Sequence, residues 1–240
     1  GNRRKIVTGI PGKTGIVWAL DAATGAFLWA QPTNTQNVVA EIDAESRRVI
    51  LNQELKFPEV GEPVFVCPSL IGGINWQATA YNPGSNTLFA PTNDVCMDLT
   101  LNEFRDRPGR HHGSARVNRS IAPEADGQVG MFTAMDLATG EPRWVYRQRA
   151  GIGGSVLSTG GGLVFVTDDA RRFRAFDVST GDVLWEQILN SSAGGFPVSY
   201  EHDGVQYVAI ATGGGVNHRG LTPEIRQPPR GNTLFVFRLP

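Results

Sequence analysis

Short runs of alternating apolar and polar residues, separated by Gly, Pro, Asn and Asp, recur along the 240-residue chain. A period of two over such lengths is the signature of half-buried strands, and the separators are turn formers. The pattern predicts strands at 5–10, 16–21 and 27–31, then a hairpin at 38–42 and 47–51. Further strands fall at 87–91, 130–136 and 143–147, followed by a regular set at 155–158, 163–167, 173–177 and 183–188. A last set of three covers 196–201, 206–211 and 233–239. Between them, residues 94–128 read as a polar, irregular stretch holding Arg105, Arg107, Arg110, His111, His112, Arg116 and Arg119. A loop of that length without structure of its own is expected to be functional or mobile.

A longer pattern, Ala-x-Asp-x-x-Thr-Gly-x-x-x-Trp, is superimposed on these strands. It is filled by Ala19, Asp21, Thr24, Gly25 and Trp29, by Ala134, Asp136, Thr139, Gly140 and Trp144, and by Ala175, Asp177, Thr180, Gly181 and Trp185. Five positions matched three times describe a repeated hairpin. The Asp can accept from backbone groups ahead of it, and the Gly takes the positive-φ position of a tight turn. The Trp returns on the next strand as a large flat surface suited to packing between sheets. Repeats of this kind point to stacked antiparallel sheets, because one four-stranded sheet cannot bury both of its own faces. The last two Trp residues are about 40 positions apart, the length of one propeller blade. The first two are much farther apart, so the intervening blade is enlarged or an extra element intervenes. The expected fold is all-β: a β-propeller of four-stranded antiparallel blades at about 1–63, 64–147, 150–189 and 195–240. The first and last blades each have only three strands.

Composition narrows the function classes. With 22 basic and 23 acidic residues the chain has no electrostatic footprint for nucleic acid, and 29 Gly with 15 Pro suit a turn-rich β protein. No apolar run approaches the roughly 18 residues of a membrane helix, and the N-terminus carries no secretory signal. Cys67 and Cys96 are the two cysteines. In a reducing compartment they read as free thiols, in an oxidising one as a bridge.

The repeated pattern resembles the tryptophan-docking motif of the quinoprotein alcohol dehydrogenases, eight-bladed propellers that hold pyrroloquinoline quinone (PQQ). Gly12-Lys13-Thr14-Gly15 precedes the first repeat. Alone it is an exposed turn lysine; in this family a Lys or Arg here contacts the quinone oxygens, where a fixed cation stabilises developing charge. Gly72-Gly73-Ile74-Asn75-Trp76-Gln77, followed by Ala80-Tyr81-Asn82-Pro83, resembles the segment that brings an Asn amide to the cofactor. An amide both donates and accepts, which suits a ligand bearing carboxylates, a ring N–H and quinone oxygens. Without that context Asn75-Trp76 reads as a turn and a core aromatic. Cys67-Pro68-Ser69 and Cys96-Met97 belong to the same resemblance, whose oxidising setting implies a Cys67–Cys96 disulfide and a periplasmic location. Thr212 and Gly214 are weaker candidates for cofactor contact.

The resemblance covers essentially the whole chain but only the C-terminal half of the family's propeller, about four of eight blades. The family's Asp base, its calcium or lanthanide ligands, its vicinal cysteine ring and the Trp beneath PQQ all belong upstream of Lys13. The resemblance therefore implies an alcohol substrate and a cytochrome c-type electron acceptor for the intact enzyme. It also implies missing N-terminal blades, and no activity for this segment alone. In the intact family the base takes the hydroxyl proton and hydride passes to PQQ. Two departures stand out: Gly151-Ile152 precedes Gly153-Gly154-Ser155 where relatives carry a Trp, and Gly213-Gly214-Gly215 replaces a Gly-Trp-Gly. Both open space near a cofactor. Gly160-Gly161-Gly162 and Gly213-Gly214-Gly215 precede no helix and read as turns rather than phosphate cradles. His111-His112 read as solvated rather than metal-binding. The rival class is a non-catalytic propeller scaffold that binds other proteins, in which Lys13 and Asn75-Trp76 would serve no purpose.

Overall fold

The computed structural model describes residues 4–10, 12–46, 48–56, 58–103, 115–213, 218–226, 228 and 231–238. Its strands are almost all antiparallel and local. β1 (Ile6–Gly9), β2 (Ile16–Asp21) and β3 (Phe27–Pro32) form the first sheet, and β4 (Val39–Asp43) with β5 (Arg48–Leu51) forms a separate two-stranded ribbon. The next seven strands are β6 (Pro63–Val66), β7 (Ala80–Asn82), β8 (Thr87–Asn93), β9 (Val95–Leu101), β10 (Ala115–Ile121), β11 (Gly130–Asp136) and β12 (Pro142–Gln148). They divide into a four-stranded sheet ordered β12-β11-β8-β7 and a three-stranded sheet ordered β10-β9-β6. β13 (Leu157–Ser158), β14 (Leu163–Thr167), β15 (Arg172–Asp177) and β16 (Val183–Ile188) then build a four-stranded sheet in sequence order. β17 (Val198–His202), β18 (Val205–Ala211) and β19 (Leu234–Arg238) build the last, three-stranded one.

Residues 64–147 thus hold two sheets, the extra element being β10-β9-β6. The expectation of an irregular stretch at 94–128 is corrected. β9 and β10 pair in unbroken register from Val95 opposite Ile121 to Leu101 opposite Ala115. β10 is an edge strand whose Arg116 and Asn118 are exposed and whose Arg119 and Ser120 are half-buried. Charged side chains protect an edge from further pairing and erase the apolar alternation by which a strand is recognised. Arg105, Arg107, Arg110, His111 and His112 lie outside the described residues. Cys67, just after β6, and Cys96 in β9 are joined by a disulfide with an S–S distance of 2.04 Å, packed against Ala122 and Ala125.

The repeated pattern has one structural meaning in all three copies. Its Ala lies directly across the strand pair from its Trp: Ala19 opposite Trp29, Ala134 opposite Trp144, Ala175 opposite Trp185. A small residue there leaves room for the indole, and the register shifts immediately afterwards in each copy. Asp21 Oδ1 accepts from the N–H groups of Ala23 and Thr24, and Asp177 Oδ1 from those of Ser179 and Thr180. Asp136 Oδ1 accepts from Ala138 N–H. The Gly of each turn has a positive φ, 70° at Gly25, 81° at Gly140 and 77° at Gly181.

The Trp of one copy then lies on the turn glycine of the next. A Cβ at Gly140 would fall 2.7 Å from Trp29, and one at Gly181 would fall 2.7 Å from Trp144. Trp144 Nε1 also donates to Val178 O at 3.0 Å. Trp29 and Trp144 are half-buried between sheets, whereas Trp185 is 37% exposed. The last sheet offers Trp185 no such turn, so its ring meets Phe173 and Phe237 instead. Each gap between neighbouring sheets holds its own apolar layer. Val17, Leu88, Met135 and Leu137 fill the first, Phe89, Phe132, Val164 and Phe176 the second, and Phe165, Phe173, Val208 and Ile210 the third.

Candidate functional site

The Asp21, Asp136 and Asp177 turns lie at one end of the stacked sheets. The opposite end is made by four glycine-bearing segments: 12–15 before β2, 72–77 before β7, 151–155 before β13 and 192–195 before β17. The first two are bonded to each other. Lys13 O accepts from Gly73 N–H at 2.9 Å, Gly73 O accepts from Asn93 N–H at 2.7 Å, and Lys13 Nζ donates to Leu70 O at 2.7 Å. The approach is so close that Gly15 and Gly73 cannot carry side chains: a Cβ would fall 1.5 Å and 2.2 Å, respectively, from Asn34 Oδ1. Asn34 is buried between them, its Nδ2 donating to Thr35 O while Oδ1 meets no hydrogen-bond donor among the described residues.

Asn75 and Trp76 stand at the same end, both exposed. Asn75 N–H donates to Gln77 Oε1, and its side-chain amide makes no hydrogen bond with the described residues. The Trp76 indole donates to Gly194 O at 3.1 Å, which ties the segment before β7 to the segment before β17. Gln77 reaches Ile152 O, and Asn93 brackets the same residue, accepting from Ile152 N–H at 2.7 Å and donating to its carbonyl at 3.0 Å. Ala78 N–H donates to Ser155 Oγ and Ala78 O accepts from Val156 N–H, which closes the seam between two sheets.

The candidates at the other side of this end fare differently. Thr212 is buried, and its hydroxyl is engaged with Asn190 Oδ1 at 2.8 Å, Gly231 O and Thr233 O. It clasps the two ends of the excursion that leaves β18 and returns to β19. Gly214 lies outside the described residues.

Several polar groups here carry no sequence motif. Asp94 is 2% exposed; it accepts from Thr35 N–H at 2.6 Å and from Arg147 at 3.1 Å. Asp168 is buried beside Arg174, whose guanidinium also reaches Glu186 and Gln148. Burial pushes the Asp168 carboxyl above the ordinary carboxylate range, and the Arg174 charge offsets this only in part. Asp169 Oδ2 meets His218 Nδ1 at 2.8 Å, with both side chains 1% exposed. The signal that could have found them is a polar pair closing a buried strand: Asn93-Asp94 at the end of β8 and Asp168-Asp169 after β14. Among the described residues no group of three or more His, Cys, Asp or Glu could hold a metal ion. A broad cleft lined by Lys5, Val7, Tyr81, Pro83 and Ala138 lies at the turn end and shares none of the candidate residues.

Antiparallel sheets stacked face to face, four of them sending a loop to one end, define a segment of a β-propeller. The PQQ family of glucose, ethanol and alcohol dehydrogenase β-propeller domains matches residues 133–208. Methanol dehydrogenase [cytochrome c] subunit 1 of Methylobacterium organophilum is 33% identical over 96% of this chain and 38% of its own length. The quinoprotein alcohol dehydrogenase PedH of Pseudomonas putida is 29% identical over 95% of this chain and 40% of its own length. A europium-containing methanol dehydrogenase structure superposes on the whole chain with a TM-score of 0.87 at 27% identity, using 46% of its own chain. The chain belongs to the PQQ-dependent alcohol dehydrogenase family, and it spans about two-fifths of the length of the curated relatives it matches. No helix among the described residues is long and apolar enough to cross a membrane.

Proposed function

We propose that this chain supplies the cofactor-facing ends of about four blades of a PQQ-dependent alcohol dehydrogenase. The observation that carries the reading is the hydrogen-bonded meeting of the Lys13 and Gly72–Gln77 segments, which sets a cation, an uncommitted amide and an exposed indole on one end of the sheets. Asn34 Oδ1, buried at the same end and without a donor among the described residues, fits a polar ligand.

Lys13, Asn75 and Trp76 would hold the cofactor. Lys13 provides a fixed positive charge for quinone oxygens, where it stabilises charge that develops during reduction. Asn75 offers both a donor and an acceptor. Trp76, its indole N–H anchored on Gly194, presents one side of an aromatic plane. Bound PQQ supplies the two-electron acceptor for oxidation of an alcohol. The proton-accepting carboxylate and the calcium or lanthanide ligands come from blades outside this chain, and a c-type cytochrome takes the electrons onward. The disulfide suits a periplasmic setting.

Half a site binds weakly and does not turn over. Two or three hydrogen bonds worth about 0.5–3 kcal/mol each leave little net affinity once immobilising the cofactor is counted. Purified chain mixed with PQQ, calcium or a lanthanide, a primary alcohol and an artificial electron acceptor should show no turnover above a Lys13→Ala control. It should still bind PQQ weakly, and Lys13→Ala should weaken that binding roughly tenfold or more. Equal PQQ binding by the two proteins contradicts the assignment of Lys13. Turnover above the control contradicts the division of the site between this chain and further blades.

A further inference from the structure

His218 is a fully buried histidine to which no motif drew attention. It is 1% exposed, in the excursion between β18 and β19, and a short turn follows it: Leu221 N–H, Thr222 N–H and Thr222 Oγ1 all reach His218 O. Arg149 fixes that turn from β12's end by donating to Leu221 O and to Glu224. Nδ1 of the ring faces Asp169 Oδ2 at 2.8 Å, while Nε2 is buried with no hydrogen-bond partner among the described residues. A carboxylate at Nδ1 fixes the proton there and leaves Nε2 as an acceptor lone pair. A buried acceptor without a donor is costly, and native structures that keep one have a ligand or an ordered water to meet it.

Its surroundings place it at the proposed cofactor end. The ring lies against Gly151, where a Cβ would fall 2.2 Å from Nδ1, so the space exists only because residue 151 has no side chain. Gly151 O accepts from Asp169 N–H at 2.8 Å, and the neighbouring Ile152 is the residue that Asn93 and Gln77 hold. One chain of hydrogen bonds and covalent neighbours therefore runs from Asn75-Trp76-Gln77 through Ile152 and Gly151 to His218.

We propose that His218 is a further cofactor-contacting residue, its Nε2 accepting a hydrogen bond from an N–H or O–H group of the ligand held at this end. This rests on the cofactor reading above. Gly151 and His218 then form one unit: the glycine vacates the volume and the imidazole fills it with a polar, Asp-oriented ring. The PQQ ring N–H is a donor of the required kind. Asp169 acts through the ring, fixing its tautomer.

The test is imidazole nitrogen NMR on the intact 240-residue chain, labelled at histidine and titrated with PQQ. Without PQQ the His218 signals should show the proton on Nδ1. Added PQQ should shift His218 Nε2 along the same saturation curve as the Lys13 and Asn75 amides. His218→Phe, checked for a native-like amide spectrum, should bind PQQ roughly three- to tenfold more weakly. If Lys13 and Asn75 respond while Nε2 does not, the proposal fails and the cofactor reading stands; Nε2 then meets an ordered water only. If neither responds, the cofactor reading fails and takes this role with it. A proton found on Nε2 rather than Nδ1 also overturns the proposal, and the wild-type titration decides it even if the variant does not fold.

Discussion

The two ends of the stacked sheets treat a carboxylate in opposite ways. At the turn end Asp21 is half-buried, and hydrogen bonds from Thr24 and Ala23 hold it below the ordinary carboxylate range. At the glycine-loop end Asp168 is buried, and desolvation holds it above that range against the pull of Arg174. The first arrangement is local, spanning a few residues, and it recurs with Asp136 and Asp177. The second is set by Arg174 on the next strand, whose guanidinium also reaches Gln148 and Glu186 on two other strands, and it is not part of the repeated pattern. Turn chemistry that closes a hairpin can be copied from blade to blade. A binding surface must differ at every blade, because one asymmetric ligand touches each of them differently.

The comparison can be broken most severely at the turn end. Gly181→Val places a β-branched residue at a φ of 77° and drives its Cβ into Trp144. Strain and overpacking together should cost about 4 kcal/mol in urea unfolding. A loss under 1 kcal/mol would mean that the Trp-on-Gly contact is not a structural joint. Next comes the extra sheet β10-β9-β6, which branches off after Asn93-Asp94. Replacing Cys67 and Cys96 by Ser opens a loop of 29 residues' separation and should lower stability by about 3.6 kcal/mol. Amide signals of both ends should stay where they are; movement of the Lys13 segment would show that the cystine shapes the site.

The pH dependence is a smaller effect and tests the contrast itself. Asp21 has a depressed folded pKa, so its contribution is present above the ordinary value of 3.8 and is lost as pH falls through the folded one. The stability gap between wild type and Asp21→Asn should shrink on acidification below that value. Asp168 has a raised folded pKa, so its contribution is favourable in acid and is lost as pH rises from 3.8 through the folded value. Wild type should therefore lose ground to Asp168→Asn as pH rises across that window. Unfolding curves on the three proteins across acid pH check both signs, and two slopes of the same sign would refute the contrast.

This contrast also explains what could be read in advance. The hairpins carrying Asp21, Asp136 and Asp177 were legible because Asp, Thr and Gly act on their own neighbours, so spacing alone encodes the turn. Their Ala and Trp were visible as a pattern, but only the strand register shows that they face each other. Lys13 and Asn75 entered by resemblance to a family, and the Lys13–Gly73 contact that joins their segments spans 60 residues of sequence. β10 was hidden because an edge strand with Arg116 and Arg119 lacks apolar alternation. Asn34, Asp169 and His218 were silent for a related reason: each is defined by a long-range partner and belongs to no local period.

The most direct test of the central claim is an amide chemical-shift map of the uniformly labelled chain as PQQ is added. The account predicts a footprint confined to the glycine-loop end: Lys13, residues 72–77, residues 151–155 and residues 192–195. The Asp21, Asp136 and Asp177 turns should stay unmoved. A footprint on those turns or in the cleft beside Tyr81 and Pro83, or no footprint at millimolar cofactor, would contradict it.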